Sequence, residues 1–192
     1  MPGPEARKEM ELKKNLALSV RDEKLKGRII ARLISNYSHW LGGFYTEELR
    51  SGGSREGFML RTLSGESEVL ASRTLLSPVA FNKYGVNARA LDGLAALSLE
   101  AARDGRKIAL MDELGPITLS SGKLAESVLD ALASGTPCLA TFRRNASDFE
   151  RTFFRMDNTL VIEAEEEALP ELQSRLDGWM EFWINRLRDK AR

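Results

Sequence analysis

Lys107-Ile108-Ala109-Leu110-Met111-Asp112-Glu113-Leu114-Gly115-Pro116 reads as a buried strand that carries two acids to its carboxyl end. Four apolar residues in succession, Ile108 to Met111, suit a strand covered on both faces, as in a parallel sheet. A helical pattern precedes it. Asn87 is placed as an N-cap, Leu91, Leu94, Ala95 and Ala102 make one stripe, and Gly105 is expected to close the helix in a left-handed conformation. The pattern then repeats downstream: a helix over Gly122 to Ser134, a strand from Pro137 to Phe142, a short helix from about Ser147 and a strand from Thr159 to Glu163. Such alternation predicts an α/β fold of three layers, a mostly parallel sheet with helices on both faces and right-handed crossovers.

Upstream, Asn15 to Val20 reads as a short strand, and the polar run Arg21 to Lys26 leads into a helix with Ile29, Ile30, Leu33 and Ile34 on one face. Gly43 to Arg50 and Gly57 to Leu63 read as an antiparallel hairpin joined by Ser51, Gly52, Gly53 and Ser54. At the other end, Leu169, Leu172, Leu176, Trp179, Met180, Trp183 and Leu187 share about one face of a helix over Ala168 to Arg188, the pattern of an element docked on its own sheet. The expected organisation is a disordered tail over 1–12, one domain over 13–178 and a helical extension of that domain over 179–192. Large aromatics on the extension, Trp179, Phe182 and Trp183, also suit a homodimer or a protein partner.

Composition narrows the chemistry. The 192 residues are 43% apolar, enough for one core, and 28 Lys plus Arg balance 28 Asp plus Glu. No net field draws the chain to nucleic acid or an anionic membrane, so charge alone disfavours a nucleic-acid role. Cys138 is the sole cysteine and His39 the sole histidine, which excludes an internal disulfide, a cysteine zinc cluster and multi-histidine metal sites. Cys138 in an apolar strand reads as a small hydrophobe, and His39 beside Trp40 as an ordinary helix end. No secretory signal or span of ~18 apolar residues is visible, so a cytoplasmic protein is expected.

Ligands of open α/β sheets bind at strand carboxyl ends, where Asp112 and Glu113 stand. In a phosphate-loop enzyme the first acid holds Mg²⁺ and an adjacent Glu polarises the attacking water. A solvated strand end is the bland alternative. Other blocks add context: Gly42-Gly43-Phe44-Tyr45-Thr46-Glu47-Glu48-Leu49-Arg50 with Gly57-Phe58 and Thr62-Leu63-Ser64-Gly65, then Lys83-Tyr84-Gly85-Val86, then Asp112 to Pro116 with Leu119-Ser120. In order and spacing these resemble the THEP1-like nucleoside-triphosphatases, small P-loop proteins related in fold to RecA and AAA+ ATPases, from about Leu16 to about Leu176.

The resemblance implies a G-x-x-x-x-G-K-[ST] loop, the Walker A motif, before the first helix, with Lys26 as its lysine. In that register Val20 and Leu25 replace the glycines and Gly27 replaces the magnesium-binding hydroxyl residue. A Cβ restricts the turn and obstructs approach to phosphate. Asp22 and Glu23 add negative charge where a triphosphate would sit; like charges ~4 Å apart repel by about 4 kcal/mol at an intermediate dielectric. Taking Lys24 as the lysine instead leaves Leu18 and Glu23 at the glycine positions. The family also commonly has Lys at the position of Pro116, Glu at that of Thr118, and an Asn-Arg pair absent from Glu165 to Leu169.

The expected protein is therefore a degenerate nucleoside-triphosphatase, impaired in hydrolysis and acting as a binding or regulatory module; the alternative is an active Mg²⁺-dependent nucleoside-triphosphatase. If active, Glu113 and Lys26 are catalytic, Lys24, Lys26, Gly27 and Arg143 meet phosphate, and Asp112 holds Mg²⁺ when nucleotide binds. Arg143 and Arg144 can otherwise be a solvated loop pair. Thr46, Glu47, Glu48, Arg50, Lys83 and Tyr84 form the family-motif surface, with a ligand role implied by resemblance. A different ligand site on the same scaffold is the third reading.

Overall fold

The computed structural model describes residues 13–143, 151 and 155–189. Strand β1 (Asn15–Val20) is buried at every position and passes through Arg21 and Asp22 into α1 (Glu23–Tyr37). A 3-10 turn at Ser38–Trp40 leads to β2 (Leu41–Ser51), β3 (Ser54–Thr62) and β4 (Ser67–Ser72). Two short strands follow, β5 (Ala80–Phe81) and β6 (Tyr84–Val86). A π turn at Ala90–Ala95 runs into α2 (Ala96–Asp104), and then come β7 (Ile108–Leu114), α3 (Gly122–Ala133), β8 (Cys138–Phe142), β9 (Thr159–Ala164) and α4 (Leu169–Asp189).

Among the described residues, nine strands form one sheet in the order β5-β6-β4-β3-β2-β7-β8-β1-β9. From β2 to β9 the pairings are parallel; from β2 to β5 they are antiparallel. Alternate residues of each parallel strand serve opposite layers. Leu16, Leu18, Leu110 and Leu139 face α1 and α4, whereas Ala17, Met111 and Ala140 face α2 and α3. In α4, Trp179 is fully buried in the layer it shares with α1, so of the three aromatics expected to meet a partner one lies in the core, and Phe182 and Trp183 are partly exposed.

Gly42 and Gly43 let β2 pack where it does. A Cβ on Gly42 would lie 2.6 Å from the Ala102 Cβ of α2. Gly43 has φ +94, and a Cβ there would lie 2.2 Å from the Leu110 carbonyl oxygen, so a side chain is excluded by both conformation and space.

The structure departs from the sequence-based expectations at several points. The antiparallel part is larger than a hairpin, because β4, β6 and β5 extend it. Helix α2 turns out through Arg106, at φ 52, while Gly105 has φ -76; the left-handed position falls one residue later than the glycine. The run Arg21 to Lys26 is mostly helix, since Asp22 caps α1 and only two residues separate it from β1. The helix expected from about Ser147, and Arg144, lie outside the described residues.

Candidate active site

Inserting β8 between β1 and β7 brings the ends of three parallel strands beside the start of α1. Asp112, near the end of β7, is only 1% exposed. Its Oδ1 accepts the Thr141 hydroxyl from β8, and its Oδ2 accepts the Thr46 amide of β2 at 3.4 Å. Burial pushes the Asp112 carboxyl above its ordinary range, opposed by the Lys26 charge and those two bonds. The peptide bond from Asp112 to Glu113 is cis.

Lys26 stands on the first turn of α1 with 6% of its surface exposed. Its ammonium lies 2.9 Å from Glu113 Oε2, 3.1 Å from Glu23 Oε2 and 3.8 Å from Asp112 Oδ1. Arg143, just past β8, pairs with Glu23 and holds its Nε 3.6 Å from Glu113 Oε1. Two cations therefore face three carboxyl groups in one network, with one acid in excess.

The amides that open α1 have partners as well. Asp22 Oδ1 accepts from the Lys24 amide at 2.6 Å and the Leu25 amide at 2.9 Å, and the Lys26 amide donates to the Asp22 carbonyl at 3.0 Å. These bonds, from Leu25 first and Lys24 second, hold the Asp22 carboxyl below its ordinary range. Helix N-termini of this kind attract anions; here a carboxylate of the chain itself takes that place. Gly27 follows on the exposed side, where an added Cβ would meet nothing within 4 Å, so packing does not require a glycine there.

Two cavities flank Lys26, Glu23 and Thr46. One, of about 640 Å³, lies between α1 and β2 and includes Lys24, Ile30, Ile34, Tyr45 and Arg50. The other, of about 370 Å³, lies toward the antiparallel strands and includes Arg55, Phe58, Tyr84, Glu113 and Arg143. The motif acids of β2 are engaged across the hairpin: Glu47 accepts from Arg61 at 2.6 Å, and Glu48 accepts from Arg50 at 2.8 Å and Arg55 at 3.0 Å. Burial works against ionised Glu48, but the bonds from Arg55 and Arg50 hold its carboxyl below the ordinary range. Tyr84 is buried, its hydroxyl accepts from Arg55 Nε at 3.3 Å, and the Lys83 ammonium lies 5.6 Å from its ring centroid.

A family model described as NTPase matches residues 23–173. The nucleoside-triphosphatase THEP1 of Thermotoga maritima is 32% identical over 153 residues, covering 80% of this chain and 86% of that protein. The chain belongs to the THEP1-type nucleoside-triphosphatase family. The THEP1 of Methanocaldococcus jannaschii is 30% identical over 147 residues, covering 77% of this chain and 86% of that protein. Among solved structures, the crystal structure of THEP1 from Aquifex aeolicus superposes with a TM-score of 0.74 at 24% identity, covering 84% of this chain and 96% of that one. The solution structure of a human cancer-related nucleoside triphosphatase gives a TM-score of 0.64 at 26% identity, covering 84% of this chain and 93% of that one. The P-loop NTPase fold expected from the sequence is thus this chain's fold.

Within this THEP1-type site, Lys26, Asp112, Glu113 and Arg143 come together, and Lys24 and Gly27 sit at its α1 edge. Thr46 reaches Asp112 through its amide, whereas Glu47, Glu48, Arg50, Lys83 and Tyr84 belong to the flanking walls. Thr141 and Arg55 complete the surroundings without having been singled out from the sequence, though Thr141 had a signal in its place at the end of an apolar strand; Glu23, expected as negative charge near the phosphate position, and Phe58, of a motif block, also stand here. For Mg²⁺, Asp112 is an available acid, each of its oxygens accepting one bond and keeping a second lone pair, while position 27 brings no hydroxyl. Among the described residues no group of three or more His, Cys, Asp or Glu is placed to hold a metal ion, and no helix is long and apolar enough to cross a membrane.

Proposed function

We propose that this THEP1-type chain is impaired in nucleotide hydrolysis and works as a binding or regulatory module on a nucleoside-triphosphatase scaffold. One observation carries the reading: the Asp22 carboxylate occupies the Lys24 and Leu25 amides at the start of α1, where a phosphate would need them. Phosphoryl transfer is catalysed almost entirely by positioning and electrostatics. A triphosphate would have to expel Asp22, draw Lys26 away from Glu113 and Glu23, and bring further negative charge to Asp112. If nucleotide bound, Asp112 would be the acid to hold Mg²⁺ through its remaining lone pairs, but position 27 would add no hydroxyl ligand.

The alternative is an active enzyme, supported by the names of the relatives and by the meeting of Lys26, Asp112, Glu113 and Thr141. In that reading Lys26 would turn to the phosphates and Glu113 would orient the attacking water. Calorimetric titration with millimolar Mg²⁺-ATP and Mg²⁺-GTP, together with phosphate release, separates the two. No binding heat and no release above buffer are expected; turnover that Glu113→Gln abolishes would refute the proposal.

A further inference from the structure

The amino ends of the parallel strands form a second polar region, remote from Lys26. A pocket of about 540 Å³ opens there between the turn after α2, the turn after α3 and Leu187 of α4. Lys107 stands on it five residues before Asp112, which at about 3.3 Å per residue is about 16 Å along β7. Among the described residues, three cations line the pocket, Arg103, Arg106 and Lys107, with no carboxylate and no aromatic ring. Behind its Thr136 wall, the Lys14 ammonium donates to the Thr136 carbonyl at 2.7 Å, and its other bonds go to the Asn15 side-chain carbonyl and the Ala131 carbonyl. Neutral groups alone hold that cation.

The acids nearby decide how much of this charge is spare. Asp104 lies 3.4 Å from Arg103 Nε, and Glu100 and Asp130 share with Arg103 a separate cavity of about 80 Å³; Arg103 is therefore counted as answered. Arg188 and Asp189, at the end of α4, cancel each other. Helices α2 and α3 both end beside the pocket, each C-terminus being equivalent to about half a negative charge. Offsetting those two helix ends is the ordinary role of basic residues in such a place, and it uses about one charge. Arg106, Lys107 and Lys14 exceed it by about two. The turn after α3 adds no donors of its own, because the Thr136 amide donates to Ser134 Oγ at 3.1 Å and the Ser134 hydroxyl to the Ala131 carbonyl at 2.8 Å. Recognition at this pocket thus falls to the cations, and nothing in its lining reads a base.

We infer that this pocket binds a multivalent oxyanion of the phosphate class, a polyphosphate or a phosphorylated headgroup, held by Arg106 and Lys107 over the positive charge of Lys14. The inference goes beyond the binding-module reading and does not depend on it, since the site lies at the opposite end of the sheet. No bond is made or broken.

The test is titration of the isotope-labelled full chain with inorganic pyrophosphate, followed by backbone amide NMR and by calorimetry. Shifts are expected at Arg106, Lys107 and Ser134 to Thr136, and raising NaCl from about 0.05 M to about 0.2 M should weaken binding severalfold. Arg106→Gly removes a charge at a position whose φ of 52 suits glycine, and combined with Lys107→Ala it should weaken pyrophosphate about tenfold. Circular dichroism melts confirm that the double variant is folded. Sedimentation with phosphatidylcholine vesicles, with and without phosphatidylinositol bisphosphate, separates the two sources of the anion. Pyrophosphate binding without vesicle capture supports a soluble ligand, and capture that needs the bisphosphate lipid and is lost in the double variant supports a headgroup. Neither response, shifts confined to Lys24 to Gly27 at the start of α1, or unchanged affinity in the folded double variant would each overturn the assignment.

Discussion

Replacing Lys26 with methionine keeps most of the stem and removes the charge from the centre of the acidic cluster. The lysine is 8% exposed at its side chain and sits 2.9 Å from Glu113 and 3.1 Å from Glu23. At an effective dielectric of about 20, unit charges at such separations attract by about 5–6 kcal/mol, much of it offset by the cost of burying them. Removing one partner of a buried pair typically costs about 3–5 kcal/mol, because the remaining charge is left uncompensated. For a chain of this size that is a fall of about 6–20 °C in melting temperature. The pH dependence has a definite sign. Asp112 already has its carboxyl raised by burial, and Lys26 is the strongest influence opposing that rise; without Lys26 it rises further. A carboxyl raised in the folded state penalises folding little below its unfolded value and progressively more as pH climbs through the folded value. The deficit of Lys26→Met should therefore be larger at about pH 8 than at about pH 5. Urea unfolding followed by tryptophan fluorescence at both pH values measures it, since Trp179 is fully buried. A deficit below about 1 kcal/mol, or one that shrinks as pH rises, would refute the view that Lys26 serves as an internal counter-ion.

Asp22→Ala should free the amides of Lys24 and Leu25, raising affinity for inorganic pyrophosphate while lowering the melting temperature through loss of the cap; calorimetry showing no gain in affinity would count against the role given to Asp22. Asp177→Asn should cost about 1–3 kcal/mol at neutral pH, because Asp177 accepts from Arg32 at 2.8 and 2.5 Å and from the Tyr37 hydroxyl at 2.8 Å, tying α4 to α1. The Arg32 bonds hold the Asp177 carboxyl below its ordinary range, so its contribution is complete above the unfolded value and fades as pH falls through the folded one. Urea midpoints of the two proteins should accordingly converge below about pH 4, and a constant gap would exclude this origin.

The parallel half of the sheet was legible because Ile108 to Met111, Leu139 to Phe142 and Asn15 to Val20 carry little but apolar residues, the mark of strands with helices on both sides. The antiparallel outer strands were not. Ser67 to Ser72 is exposed for its first half, the apolar Val69 included, so it shows no buried face there, and β5 and β6 are two and three residues long. Their pairing depends on long-range register such as Ala71 with Val86, which local pattern does not contain. The site divides in the same way. Lys26, Asp112, Glu113 and Arg143 could be named from residue chemistry and position, whereas Thr141 became a partner of Asp112 only once β8 was known to lie beside β7. The start of α1 was misplaced because Arg21 to Lys26 looks polar enough for a loop; Asp22, at the capping position, decides otherwise.

That early helix start, rather than any missing side chain, is the main obstacle to seating a triphosphate in the proposed reading. A hydroxyl at position 27 would meet no steric resistance, since a Cβ there has open space around it. Yet such a change alone would leave the Lys24 and Leu25 amides on the Asp22 carboxylate and the Lys26 amide on the Asp22 carbonyl. Three consecutive donors that a phosphate cradle would use would remain committed to the chain. Freeing them means displacing Asp22 and unwinding the first turn of α1, which in turn moves Lys26 away from Glu113 and exposes Asp112 to uncompensated charge. In the proposed reading, capping, backbone conformation and the ion cluster are thus linked, and a triphosphate seated on these amides would disturb all three.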